Sequence, residues 1–203
     1  MIDPRIYLAS RSPRRRELLS QIGIRFDLLL FRAAPREDAE VSEAWLPGET
    51  PEAYVQRVAR IKAAFGADLL ASRRVVPRPV LAADTTLDLD GEIIGKPNDE
   101  ADAAAILARL SGRSHRVLTA IALARDGRIE HRLSVSEVRF RHLGADEIRR
   151  YVQTGDPMDK AGAYGIQGRA AIFVESINGS HSGIVGLPLC ETALLLREFG
   201  YPL

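Results

Sequence analysis

Short apolar runs alternate along the chain with longer segments in which apolar residues recur every three or four positions. The short runs predict strands, and the periodic segments predict helices. We expect strands at residues 6–9, 26–31, 80–83, 87–89, 92–94, 117–124, 128–140 and 172–177. We expect helices at 13–22, 52–70, 99–110, 145–154 and 188–199, and a polar loop at 32–50.

Turn-forming and capping residues separate these elements. Ser12 and Thr50, each followed by proline, predict helix N-caps, and Asn98 predicts a third. Asp90-Gly91 and Asp126-Gly127 predict two β-hairpins. Helices and hairpins are therefore interleaved with strands, which predicts an α/β fold with a mixed sheet flanked by helices. The length of 203 residues suits a single domain, residues 1–203.

Composition, net charge and cysteine content restrict the cellular compartment and the classes of binding partner that we expect. Hydrophobic residues make up 46% of the chain and charged residues 27%, as in an ordinary globular domain. A formal net charge of +1 gives no bulk attraction to nucleic acid or to an anionic membrane. The single cysteine, Cys190, cannot form an intramolecular disulfide and is expected to be a buried packing residue in its apolar run. Because no targeting segment or membrane span is visible, we expect a cytoplasmic protein without nucleic-acid or membrane partners.

A basic, hydroxyl-rich segment, 10–15 (Ser-Arg-Ser-Pro-Arg-Arg), follows the first predicted strand and opens the first helix. Backbone N–H groups at a helix N-terminus suit a phosphate, and arginines add donors that match phosphate oxygens. The alternative is a capped surface helix with solvated arginines. The segment taken alone leaves both interpretations open.

An acidic residue, Asp84, follows the buried run 80–83, where open α/β sheets place their ligands. A carboxylate there can hold a divalent metal or take a proton from water, and the alternative is an aspartate that caps a turn. Asp88 alternates with leucines as an exposed strand residue would. Lys62 and Lys96 can neutralise phosphate charge; the alternative, which fits most lysines, is that each is a solvated surface residue.

The glycine-rich segment 159–168 combines three glycines with an acid, a lysine, a tyrosine and an amide. Glycines allow a backbone to approach a ligand closely, and the amide of Gln167 can both donate to and accept from a base edge. A structural glycine-rich loop is the alternative. The four histidines, 115, 131, 142 and 181, lack metal-ligand spacing and are interpreted as surface or hydrogen-bonded core residues.

In this order, and together with Gly-Lys-Pro at 95–97 and Val-Gly-Leu-Pro-Leu at 185–189, these motifs resemble the Maf family of nucleoside triphosphate pyrophosphatases. The resemblance runs from about residue 5 to residue 199. It implies a Maf/ITPase-like fold, in which an elongated mixed sheet carries two lobes with a central nucleotide cleft. It also implies a nucleoside triphosphate substrate and a divalent metal, Mg²⁺ or Mn²⁺, as cofactor.

The resemblance further implies roles for individual residues. Asp84 corresponds to the general base of the family. The phosphate-binding residues correspond to Ser10, Arg14, Arg15, Lys62 and Lys96. Glu43 corresponds to the metal-binding glutamate, with Asp84 as a second metal ligand, although Ser42 stands where the family usually has an aspartate.

Arg14, Thr85 and Gln167 occupy the specificity positions of the family. Thr85 after the acid, and Gln167 within Tyr-Gly-Ile-Gln-Gly, resemble the branch that cleaves dTTP and UTP to the monophosphate and pyrophosphate. The branch acting on 7-methyl-GTP typically carries Asp-Gln and Glu-Gly at these places. We therefore expect a dTTP and UTP pyrophosphatase. The alternatives are a 7-methyl-GTP pyrophosphatase and a nucleotide-binding regulator of cell division with little turnover, and a homodimer is left open.

Overall fold

A computed structural model describes residues 5–32, 41–73 and 75–202. The strands within these ranges are β1 (Arg5–Ala9), β2 (Arg25–Leu28), β3 (Val80–Leu89), β4 (Glu92–Ile94), β5 (Ser114–Arg125), β6 (Arg128–Phe140) and β7 (Val174–Asn178). The helices are α1 (Pro13–Gln21), α2 (Pro51–Ser72), α3 (Glu100–Leu110), α4 (Ala145–Val152), α5 (His181–Val185) and α6 (Leu189–Glu198). Three 3₁₀ turns, at Asp156–Asp159, Ala161–Ala163 and Arg169–Phe173, lie between α4 and β7. Residues 33–40 of the predicted loop lie outside the described ranges.

The strands form one sheet in the order β2-β1-β3-β5-β6-β7, with β4 paired to the far end of β3. β1 runs parallel to β2 and β3, and the remaining pairs are antiparallel, so the predicted mixed sheet is confirmed. On the outer side of β3, β1 pairs with residues 80–82 and β4 with residues 87–89. Among the described strands none pairs with that side at residues 83–86, which we call the open edge of β3.

Two faces of the sheet carry separate apolar cores. Val80 and Ala82 of β3 face α2, together with Leu118 of β5. Leu81 and Ala83 point to the opposite face, because side chains alternate along a strand, and there they pack with α1 and α6. None of the helices in the described part of the chain has the length and apolar character that crossing a membrane requires.

The face opposite α2 carries two clusters, as the predicted two-lobed fold requires. The first, which we call the proximal lobe, packs α1 and α6 against residues 81 and 83 of β3. The second, the distal lobe, packs α3 and α4 against Leu87 and Leu89 further along the same strand. The boundary between the two lobes therefore falls at the open edge of β3.

One prediction about this strand is wrong. The runs 80–83 and 87–89 are not separate strands, because β5 pairs with β3 without interruption from Val80 to Asp88. This partner keeps Thr85 and Thr86 extended, and both are β-branched residues that suit a strand. Asp84 consequently lies in the middle of a strand and not at its end.

Asp88 is also placed differently from the prediction. It is 2% exposed, whereas alternation with leucines predicted an exposed side chain. The alternation is present, but the N-terminal end of α2 covers that face of the sheet. The Asp88 carboxylate accepts hydrogen bonds from the Gly91 backbone N–H (2.7 Å) and from Arg116 Nε (2.6 Å). Arg116 in turn pairs with Glu52 of α2 at 2.8 Å.

The predicted N-cap residues agree only in part with those that the structure shows. Thr50 caps α2 as predicted, since its hydroxyl accepts from the Ala53 N–H at 3.2 Å. The cap of α3 is Asp99 and not Asn98, because the helix begins one residue later and the Asp99 carboxylate accepts from the Asp102 N–H. Ser12 precedes α1 without a side-chain capping bond.

Two elements near the C-terminal end differ from the prediction. Cys190 is exposed and not buried, because it lies on the same solvent-facing side of α6 as Leu194. The five-residue helix α5 was not predicted, since a helix so short shows no apolar periodicity.

A side chain at Gly162 would crowd the core of the distal lobe, which leads to a prediction of stability. Its φ of +73° already disfavours other residues, and a Cβ there would overlap Cδ1 of the buried Leu87. Gly127 has a similar φ of +79° and nothing within 4 Å of a Cβ, so Gly127→Ala is a matched control for backbone strain. We expect Gly162→Ala to lower the free energy of unfolding by about 1–3 kcal/mol more than Gly127→Ala, the usual range for overpacking. Urea denaturation of both variants measures the difference, and equal losses would contradict the packing argument.

Candidate active site at the open edge of the sheet

Two carboxylates and one ammonium group meet on the α2 face of the open edge. Asp84 is 7% exposed, and its Oδ1 accepts a hydrogen bond from Lys62 Nζ at 2.8 Å. The same Nζ lies 2.7 Å from Oε1 of Glu43. Helix α2 carries Lys62 across the sheet to this point. The structure thus brings together three residues that are distant in sequence and were all predicted as site residues.

The two carboxylates are electrostatically different. Burial raises the pKa of Asp84 above its usual value, and this effect outweighs the opposing influence of Lys62 and Arg15. For Glu43, partial desolvation acts in the same direction, but the ammonium of Lys62, together with Lys96 and Arg15, outweighs it and lowers the pKa. The Glu43 side chain is 56% exposed, so water screens its pairing with Lys62. Asp84 is therefore the better proton acceptor of the pair, and Glu43 stays charged.

Arg15 occupies the opposite face of the open edge and is held at four points. Its donors reach the Gly186 carbonyl (2.8 Å), the Ser10 hydroxyl (3.2 Å), the Ala83 carbonyl (2.8 Å) and the Thr85 hydroxyl (3.2 Å). Burial lowers the pKa of Arg15, yet a guanidinium stays protonated in proteins. A guanidinium has five N–H donors, so these bonds leave one N–H on Nη2. Arg15 joins the end of β1, the open edge and the segment between α5 and α6.

Thr85 connects Arg15 to a second, fully buried threonine. Its hydroxyl lies 2.9 Å from that of Thr119, which donates to the Gly183 carbonyl at 2.8 Å. Thr119 was not among the predicted site residues. A signal was present, since Thr119 is a lone hydroxyl in the apolar run of β5, but only the strand register shows that it lies opposite Thr85.

The remaining predicted residues lie around the same opening. Arg14, in the first turn of α1, is 3.5 Å from the Asp159 carboxylate of the glycine-rich segment, a contact that crosses between the lobes. Lys96 and Gln167 are exposed, and neither side chain has a hydrogen bond or ion pair within the described residues. Ile166 packs against both the proximal and the distal cluster, so Gln167 stands at their junction.

One part of the glycine-rich segment belongs to the core. Tyr164 is buried in the distal lobe, and its hydroxyl lies 2.8 Å from Nε2 of His115. His115 is the one histidine for which burial lowers the pKa to about 4, so its ring is neutral at physiological pH. The prediction of a hydrogen-bonded core histidine holds for Nε2 but not for Nδ1, which has no partner.

The geometry allows a defined set of chemical tasks. Asp84 can accept a proton, while Arg14, Lys62 and Lys96 can neutralise phosphate charge. Glu43 and Asp84 are the pair that can hold a divalent metal, since carboxylate oxygens suit Mg²⁺ and Mn²⁺. No group of three or more histidine, cysteine or acidic side chains with metal-site geometry occurs in residues 5–32, 41–73 and 75–202. Any metal would therefore complete its shell with water and substrate oxygens.

Comparisons with known proteins find relatives over nearly the whole chain. A family profile described as "Maf-like protein" matches residues 5–199. The "dTTP/UTP pyrophosphatase" of Aromatoleum aromaticum is 64% identical over 203 residues, which cover 100% of this chain and 98% of that protein. The protein of the same name from Dechloromonas aromatica is 60% identical over 197 residues, covering 97% and 98% respectively. A solved structure, "The structure of the Staphylococcus aureus Ham1 protein", matches 96% of this chain and 97% of that chain at 18% identity, with a TM-score of only 0.49.

The contact between Lys62 and Asp84 predicts how the Asp84 carboxyl titrates. Removing the ammonium removes an influence that lowers the pKa, so Lys62→Met raises the pKa of Asp84 further above its usual value. Lys96, whose side chain has no hydrogen bond to Asp84 within the described residues, is not among the groups that shift its pKa most, so Lys96→Met is the matched control. Carbon-13 NMR titration of the Asp84 carboxyl in metal-free protein gives the answer. An unchanged pKa in Lys62→Met, or an equal shift in both variants, would show that Lys62 does not control this carboxyl.

Proposed function

The chain belongs to the Maf family, and from this membership we propose that it hydrolyses dTTP and UTP to the nucleoside monophosphate and pyrophosphate. One structural observation supports the proposal most directly. Asp84, a buried carboxylate with a raised pKa, lies beside cationic side chains at the open edge of the sheet. This arrangement suits the activation of water next to a bound polyphosphate.

In the proposed reaction Asp84 acts as the general base. It takes a proton from a water molecule whose oxygen forms a bond to the α-phosphorus. The bond between that phosphorus and the bridging oxygen breaks, and its electron pair leaves with pyrophosphate. A raised pKa makes Asp84 a better proton acceptor than an ordinary aspartate, while the ammonium of Lys62 favours the ionised form of the carboxyl.

The triphosphate lies, in this proposal, against the cations around the opening. Ser10, at the end of β1, and Arg14, in the first turn of α1, approach it from the proximal lobe, and Lys96 approaches it from the distal lobe. Lys62 reaches it from α2, and Arg15 contributes its remaining Nη2 N–H. Cationic donors around the triphosphate stabilise the charge that develops on the leaving pyrophosphate.

We also propose that Mg²⁺ or Mn²⁺ binds between Glu43 and Asp84. The donor set fits, because both side chains offer carboxylate oxygens, and Lys62 Nζ, which contacts both, would give up this position to the ion. Two carboxylates with water and substrate phosphates form a usual environment for Mg²⁺. When bound, such an ion polarises a phosphate oxygen and neutralises negative charge. A cation bound to Asp84 would lower the pKa of its carboxyl, so the proposal leaves the division of labour between Asp84 and the metal open.

Thr85 and Gln167 are proposed to recognise the base. The edge of uracil or thymine presents two carbonyl acceptors around one N–H donor. The amide of Gln167 can donate to a carbonyl, and the exposed position of this residue at the junction of the lobes leaves it available. A site that pairs with a base edge rejects mismatched bases, because its polar groups would lose their partners.

The free thiol supports a proposal about localisation. Cys190 is the single cysteine of the chain and is exposed, so it stays a thiol most readily in a reducing compartment. We therefore place the protein in the cytoplasm.

The substrate preference tests the proposed function. We expect kcat/KM for dTTP and UTP to exceed that for dCTP, for the purine triphosphates and for 7-methyl-GTP, by about tenfold or more. Release of pyrophosphate measures all five classes under identical conditions with Mg²⁺ or Mn²⁺ present. A preference for 7-methyl-GTP would move the chain to the other branch of the family. Nucleotide binding without turnover of any substrate would favour the regulator.

Replacement of the proposed base separates chemistry from binding. We expect Asp84→Asn to lower kcat by about 10²- to 10⁴-fold, the usual contribution of a general base, while nucleotide affinity changes little. Calorimetric titration with a non-hydrolysable analogue of UTP measures the affinity, and circular dichroism confirms the fold. Turnover close to that of the unaltered protein would remove Asp84 from the mechanism.

A further inference from the structure

Thr119 is a buried polar residue that lies outside every sequence motif. It is 0% exposed and lies in β5 directly opposite Thr85 of β3. Its hydroxyl is 2.9 Å from that of Thr85 and 2.8 Å from the Gly183 carbonyl of α5. Both hydroxyls lie at the boundary between the two lobes, next to the guanidinium of Arg15.

The direction of every hydrogen bond in this group follows from counting donors. A backbone carbonyl only accepts, so the single hydroxyl hydrogen of Thr119 points to Gly183. Thr119 can then only accept from Thr85, and this uses the single hydrogen of Thr85. Arg15 only donates, so Thr85 accepts from it. The chain runs in one direction, from Arg15 through Thr85 and Thr119 to Gly183.

Both ends of this hydrogen-bond chain, Arg15 and the Gly183 carbonyl, are bonded to the backbone of Gly186. Arg15 Nε donates to the Gly186 carbonyl, and the Gly186 N–H donates to the Gly183 carbonyl at 3.0 Å. Ser180 caps α5 and fixes the Gly183 N–H at 3.0 Å. A side chain at Gly183 would lie 3.0 Å from Ser134 Oγ, so α5 sits close against β6 and has little room to shift. The acceptor at the end of the chain is therefore fixed in place.

These bonds limit the hydrogen bonds that Thr85 can form with a ligand. Its hydroxyl hydrogen is donated to Thr119, and one of its two lone pairs accepts from Arg15. Thr85 is partly exposed, whereas Thr119 is not. The remaining lone pair of Thr85 is thus the only hydrogen-bonding capacity that its hydroxyl can present to a ligand, and it can only accept.

We propose that Thr119 is a positioning residue that makes Thr85 an obligate acceptor, and that this selects bases whose edge carries a ring N–H. The inference rests on the proposed function, in which Thr85 faces the base. Uracil and thymine donate through N3–H, and this donor matches the free lone pair. Cytosine has an unprotonated N3, so two acceptors would face each other without a hydrogen between them.

The test compares Thr119→Val with Thr119→Ser. Valine keeps the shape of threonine but cannot accept, so the Thr85 hydroxyl becomes free to rotate and donate to N3 of cytosine. We expect the ratio of kcat/KM for UTP to that for CTP to fall about tenfold or more in Thr119→Val. Serine keeps the hydroxyl, and Thr119→Ser retains the ratio of the unaltered protein.

The ratio is insensitive to partial unfolding, because both substrates are measured on one sample and the folded fraction cancels. If Thr119→Val does not fold, Thr119→Ala removes the same hydroxyl with a smaller side chain. A ratio unchanged in the valine or alanine variant overturns the inference, and so does an equal fall in Thr119→Ser.

Thr85→Val separates this inference from the proposed function. An unaltered protein that hydrolyses UTP, together with a Thr85→Val variant that keeps full discrimination against CTP, shows that Thr85 does not face the base. That result overturns the inference and leaves the proposed reaction standing. An unaltered protein that releases no pyrophosphate from UTP overturns the proposed function, and the inference with it.

Discussion

The central constraint in this structure is that β1 and β4 together cover only part of the outer side of the longer strand β3. β1 ends opposite Ala82, and β4 begins to pair only at Leu87. Backbone groups between these points still require hydrogen-bonding partners, since an unpaired buried carbonyl or N–H is costly. Arg15 supplies one of these partners by donating to the Ala83 carbonyl. The gap that separates the lobes is thus also the place where a cation must enter the protein interior.

Charge in this interior is tolerated because opposite charges meet from both sides. Burying Asp84 or Arg15 alone would be strongly unfavourable, and each is stabilised by hydrogen bonds or by an ion pair. At Asp84 the neighbouring cations only partly offset the effect of burial, so the pKa of its carboxyl stays raised. If the cations offset burial completely, the pKa would be that of an ordinary aspartate and the carboxylate would be a weaker base. The same electrostatics keep the more exposed Glu43 ionised, so two carboxylates within reach of one ammonium differ in character.

The sequence pattern correctly predicted a helix cap and the hairpins that are determined by residues close together in the chain. The cap at Thr50 and the pairing of β3 with β4 and of β5 with β6 follow from residues adjacent in sequence. The features that failed, or were not predicted, depend on distant partners. Alternation placed Asp88 on the correct face but could not show that α2 covers that face. The contact between Thr119 and Thr85 could not be predicted without the register of β5 against β3. The sequence from Val80 to Leu89 predicts two strands, and only the continuous pairing with β5 shows that it is one.

The adjacency of Asp84 and Thr85 explains why the site needs an open edge. Successive residues of a strand point to opposite faces, so Asp84 meets Lys62 on the α2 face while Thr85 meets Arg15 on the other. A ligand that contacts both must pass around the side of the strand, which a neighbouring strand would block. Within the described residues, positions 83–86 are where the outer side of β3 is left without such a neighbour. A nucleotide lying there, as proposed, would meet Asp84 and Lys62 from one face and Thr85 and Arg15 from the other, so the pleat of a single strand brings groups from both faces to one ligand.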